Sequence, residues 1–108
     1  MRNLGQKTER RILKKIGARR QPRSGGIPGF PNDGIKAGYL IEVKSTETET
    51  LRIKKQMILD LEDSAIAIGK VPALILVFNL AGTGITYREF VAIPRFEFEM
   101  LTKDWRKS

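Results

Sequence analysis

Cysteine and histidine are both absent from this 108-residue chain. Without cysteine there can be no disulfide and no thiolate zinc site. Without histidine, serine and cysteine triads, histidine-based nucleases and histidine-ligated zinc hydrolases are excluded in their usual form. What remains for catalysis is carboxylate, lysine, hydroxyl and bound metal. Long apolar runs are also missing: none approaches the roughly 20 residues of a membrane helix, and the N-terminus lacks the apolar core of a signal peptide. These absences lead to the expectation of a cytoplasmic protein with no membrane partner. Internal repeats and low-complexity tracts are absent as well.

What is present suits a folded domain. Apolar residues make up 41% and charged residues 30%, ordinary values for a globular chain and far from those of a disordered one. The length predicts one domain, residues 1–108, large enough for a core. The net charge of +8 is concentrated. Residues 1–23 carry nine Lys or Arg against Glu9 alone, and the other 85 residues carry eleven of each sign. This basic helix and loop read as an electrostatic footprint for a phosphate backbone, with Arg10, Arg11, Lys14, Arg19, Arg20 and Arg23 as candidate DNA contacts. The alternative is a solvated helix face or a basic arm.

Residues 6–17 favour a helix, with Ile12, Leu13 and Ile16 as its apolar stripe and Gly17 as its stop. Glu9 lies three and four residues before Ile12 and Leu13, on the face that should pack inward, where a carboxylate needs a partner or a metal; by itself the residue reads more simply as a capping or surface glutamate paired with Arg10 or Lys14. Residues 18–32, rich in Pro and Gly, read as an irregular basic connection. Tyr39 to Ser45 alternates as a strand: Tyr39, Ile41 and Val43 on one face, Leu40, Glu42 and Lys44 on the other. Thr50 is placed to cap a helix over about 51–68, whose stripe is Ile53, Met57, Leu61, Ala65 and Ile68, with Gln56, Asp60 and Asp63 off it. Ala73 to Phe78 is apolar throughout and reads as a central strand buried on both faces. A turn at 81–84, a strand over 85–93 and a last helix begun by Pro94 and carrying Phe96, Met100, Leu101 and Trp105 complete the order α-β-β-α-β-β-α. The expectation is an α/β fold with a mixed four-stranded sheet flanked by helices.

Chemistry concentrates in the spacing Asp33-x8-Glu42-x-Lys44. Alternation sets Glu42 and Lys44 on one face, about 6.6–7 Å apart at the backbone. The short stretch from Phe30 to Ala37 looks like a strand bent back onto this one, which would bring Asp33 near Glu42. Two converging carboxylates beside a lysine can bind a hard cation and hold a phosphate against it.

In this context the chain resembles the PD-(D/E)XK nuclease superfamily. Pro31-Asn32-Asp33 corresponds to its "PD" with one residue inserted, and Glu42-Val43-Lys44 to its "EXK". Further likeness is to Holliday-junction resolvases of the archaeal and phage type: Glu9-Arg10 on the first helix, Ser24-Gly25-Gly26 in a basic loop, Glu42 to Ser45, Gln56 on the next helix, then Gly69, Pro72 and the apolar strand. The likeness spans roughly residues 5–80. It implies a restriction-endonuclease-like core and a Mg²⁺-dependent endonuclease selective for branched DNA, with Mn²⁺ able to substitute, working as a homodimer. It also implies that Asp33, Glu42 and the Val43 carbonyl ligate the metal with Glu9 as a further ligand. Lys44 would orient water or offset charge on the phosphate, and Ser24 and Gln56 would contact phosphate or the metal shell, unless Ser24 is a loop serine bonded to backbone and Gln56 a helix-surface amide. Two departures stand out: the Asp33–Glu42 hairpin is short, and Gly34 follows Asp33 where an apolar residue is usual. Rival readings are a phage-type nuclease of the same fold acting on DNA ends, nicks or specific sites, and a non-catalytic basic nucleic-acid-binding module in which the same residues form a structural ion pair.

Overall fold

The computed structural model describes residues 4–20, 33–79 and 87–104. Helix α1 (Leu4–Lys15) leads through β1 (Arg19–Arg20) to β2 (Asp33–Lys36) and β3 (Tyr39–Thr46). Helix α2 (Lys55–Ala67), β4 (Val71–Asn79), β5 (Tyr87–Ala92) and α3 (Arg95–Thr102) follow. Four strands of four to nine residues and three helices give the expected α/β arrangement, and β1 adds a two-residue strand at one edge, so the sheet runs β1-β2-β3-β4-β5. Pairing is antiparallel except between β3 and β4. Parallel neighbours require a crossover, and α2 supplies it.

The alternation of apolar residues decides which helix covers which face. Ile41 and Val43 of β3 join Ala73, Ile75 and Val77 of β4 under Ile12 and Leu13 of α1. Leu40 and Leu74 join Leu61 and Ala65 of α2 on the other face. Strand β4 feeds both clusters, as its unbroken apolar run requires. Both helix ends close in the same way. Gly17 and Gly69 adopt φ of 77° and 69°, and the amides after them reach back into the last turn: Ala18 N–H to Leu13 O at 3.0 Å and Lys70 N–H to Ala65 O at 2.8 Å. A left-handed residue at this position is where glycine is favoured. Lys36, from the β2–β3 hairpin, donates its ammonium to the Ile16 carbonyl at the end of α1, a favourable place for a cation.

Two expectations are corrected. Thr50 does not cap a helix over 51–68: α2 begins at Lys55, after an extended Lys54 that makes no side-chain cap. The threonines instead tie their own loop, with Thr46 Oγ1 and Thr48 Oγ1 each donating to the Thr50 carbonyl at 3.0 Å. Hydroxyls four and two residues from a backbone acceptor compete with a helix start in this way. The connection after α1 is also less irregular than its composition suggests, because Arg19 and Arg20 pair with Ile35 and Gly34. The turn expected at 81–84 and Trp105 lie outside the described residues.

Candidate functional site

A two-residue turn brings the two central acidic positions together. Lys36 pairs with Tyr39 across Ala37-Gly38, and both turn residues have positive φ, 50° and 87°. That conformation matches the right-handed twist of the flanking strands and pins the register. The register sets Asp33 opposite Glu42. Directly opposed residues of an antiparallel pair occupy the same face, with Cβ atoms about 4.5–5.5 Å apart. For Asp33, Arg19 and Arg20 the backbone alone is described.

Glu42 is 5% exposed, held between Leu40 and Lys44 on the α2 face and beside Leu74 of β4. Burying a carboxylate is costly unless neighbouring groups compensate it, so its position in the centre of a sheet marks it out from the solvent-facing acids of α2. Lys44, two residues further along the same face, is half-buried and is the register partner of Leu76. Val43 points the other way, its side chain fully buried under α1.

Glu9 comes to the same strand from the opposite face. Its Oε2 accepts the backbone N–H of Ser45 at 3.1 Å and the Ser45 hydroxyl at 3.2 Å. Alternation puts Ser45 on the side of Ile41 and Val43, facing α1, so Glu9 grips the end of β3 just past Lys44. The expectation of an inward-facing Glu9 is met, and its described contact is with Ser45. Ser45 is the partner of Glu9 that spacing alone did not single out; its parity with Ile41 and Val43 was the available signal.

Gln56 lies in the first turn of α2, exposed, with its amide donating to Asp60 Oδ1 at 2.8 Å. One turn apart on a helix surface, such a pair needs no ligand to explain it. Arg11 and Lys14 are exposed on α1 and Arg10 is half-buried. Arg19 and Arg20 are on the edge strand beside β2, one ladder step from Asp33. Ser24 and Arg23 lie outside the described residues.

Among the described residues no group of three or more acidic side chains gathers as a metal centre. The donor set nevertheless fits a hard cation. Glu42 and the position opposite it are carboxylates, oxygen donors of the type Mg²⁺ prefers, and Mg²⁺ commonly keeps several waters and takes only one or two carboxylates. No protein-family model, curated protein or solved structure matches this chain.

Proposed function

We propose that the chain is a Mg²⁺-dependent endonuclease with a PD-(D/E)XK core, acting on branched DNA as a homodimer. The observation that carries this reading is the Asp33–Glu42 register, with Lys44 on the same face of β3. Glu42 and Asp33 would hold the ion from two strands of one hairpin, where backbone pairing fixes the separation of the two positions better than a loop could. A bound Mg²⁺ neutralises charge on the scissile phosphate and lowers the pKa of a coordinated water. Lys44 offsets charge that builds on the phosphate; an ammonium serves there as an electrostatic partner rather than as a base. Glu9 keeps the end of β3, and with it Lys44, in place through Ser45. Arg19 and Arg20 of β1 stand next to this hairpin and suit phosphates beside the cut, while the basic residues of α1 lie over the other face of the sheet.

Cleavage of four-way junction, flap, nicked and linear DNA in Mg²⁺ tests the proposal. The wild-type chain should cut the junction best. Asp33→Asn and Glu42→Gln should each abolish cutting while binding in Ca²⁺ stays intact or tightens, because a charge that repels phosphate has been removed. Normal cutting by either variant would remove the metal assignment, and binding without any cutting by the wild type would leave only a nucleic-acid-binding module.

A further inference from the structure

Strand register carries the face of Glu42 and Lys44 across the sheet to an aromatic pair. Lys44 is opposite Leu76, and Leu76 is opposite Phe90, so the three form one row over β3, β4 and β5. The row after it is Thr46, Phe78 and Arg88; the row before it holds the Asp33 position, Glu42, Leu74 and Ala92. Opposed residues share a face, and the two core clusters divide β3 and β4 in the same way. All three rows therefore belong to the α2 side. Helix α2 packs there on Leu40, Leu74 and, half-buried, Leu76, whereas Phe90 is 59% exposed.

Phe90 is held rather than covered. The ring of Phe78, its diagonal neighbour on the adjacent strand, meets it edge to face, with centroids 6.3 Å apart and planes at 79°. This geometry is favourable for two aromatic rings, and a perpendicular neighbour can cap at most one face of the Phe90 ring. Strands about 4.8 Å apart set Phe90 about 10 Å from Lys44 at the backbone, within the reach of a nucleotide's phosphate and base. We infer that Phe90 is a stacking platform for an unpaired base of the DNA strand whose phosphate lies at Glu42 and Lys44. The inference rests on the nuclease reading for the position of that phosphate, and adds the form of the strand beside the cut.

Charge and chemistry select this occupant. A phenyl face takes any base by stacking, and an unpaired base can be splayed onto it where a base inside a duplex is already stacked on its neighbours. Cations border the ring in two directions, Lys44 at the far end of its row and Arg88, exposed, two residues back along β5. Aromatic rings set among cations that track the backbone are how single strands are held. The open rings of α3 are placed differently: Phe96 and Phe98 alternate with Glu97 and Glu99, a pattern that repels phosphate. Exposure does not distinguish Phe90 from them; its row does.

Binding by the full chain in Ca²⁺, without cutting, tests the platform. Single-stranded oligothymidylate of about 15 nucleotides, near the upper end of what one such groove holds, is compared with a blunt duplex of the same length. Phe90→Ala should weaken strand binding about 5- to 150-fold, the worth of one stacked base, and leave duplex binding unchanged. Phe90→Leu, which keeps apolar bulk without a ring, should lose as much, and Phe90→Trp should bind the strand at least as tightly as wild type. Phe96→Ala, which removes an equally exposed ring, should change neither. Oligothymidylate carrying 5-iododeoxyuridine, irradiated in the complex, should cross-link to Phe90. Full strand affinity in Phe90→Leu would overturn the inference, as would equal losses on strand and duplex, a cross-link to the α3 rings instead, or a wild-type chain that does not bind the strand. The two readings fail separately. A chain that stacks the base and cuts nothing keeps the platform and loses the nuclease. A Phe90→Ala variant that binds the strand and cuts junctions as wild type does keeps the nuclease and loses the platform.

Discussion

Glu9 and Ser45 show how one residue pair joins a helix to the strand that bears the site. A carboxylate oxygen accepting a backbone amide and a hydroxyl together makes a charge-assisted contact, and losing such a bond costs about 1.5–3 kcal/mol. Glu9→Ala should therefore lower unfolding free energy by about that amount, and Ser45→Ala by less, because the backbone bond survives. Urea unfolding of both singles and the double should reveal a coupling of roughly 0.5–3 kcal/mol. If Glu9→Gln instead lost cleavage with its stability unchanged, Glu9 would belong to the metal shell. The inward aspect of Glu9 was legible from Ile12 and Leu13, three and four residues on, and that of Ser45 from strand alternation. Their meeting was not, since 36 residues separate them and neither local pattern encodes the other.

At the scale of elements, the β2–β3 hairpin matters most, because its turn sets Asp33 against Glu42. Ala37 occupies a left-handed conformation, φ 50°, which costs an L-residue with a Cβ roughly 1–2 kcal/mol. Asparagine tolerates this conformation better. Ala37→Asn should stabilise the chain by about 0.5–1 kcal/mol, read as a rise in thermal midpoint, without disturbing the hairpin register in NMR cross-strand contacts. A fall in midpoint would mean that the turn is not the twisted two-residue type. The helices tell a complementary story. The inward stripe of α2 was plain, with Leu61 and Ala65 buried and Met57 half-buried, whereas its start was misplaced because the hydroxyls of Thr46 and Thr48 satisfy the loop instead.

At the scale of the whole molecule, charge is uneven along the chain. The excess positive charge lies in residues 1–23, whose described part forms α1, over one face of the sheet with Lys15 reaching Glu89 of β5 at 3.7 Å, and β1 at the opposite edge. DNA binding should be steep in salt, the slope of log K against log salt being about −0.9 per phosphate neutralised. Replacing Arg19, Arg20 and Arg23 with alanine should flatten that slope and weaken junction binding more than linear-duplex binding. Alanine keeps the backbone pairing of β1, so the loss would be one of charge. Competition binding at two salt concentrations, with cutting blocked by Ca²⁺, measures it. Equal losses on both DNAs would leave the basic block as a general phosphate contact and withdraw its support for junction selectivity.

The amino-acid sequence by itself determined the order of the three helices and the four longer strands, the two faces of β3, the double burial of β4 and the inward stripe of α2. Each is a local periodicity, and the side of an element that turns from water follows from the spacing of its apolar residues. Tertiary structure alone decided which positions face one another: Asp33 against Glu42, Glu9 on Ser45, and Gln56 turned outward to Asp60. It also decided that the apolar residues of α3 stay open. Periodicity records that a face seeks an apolar neighbour; what that neighbour is depends on turn geometry and on packing between segments remote in the chain.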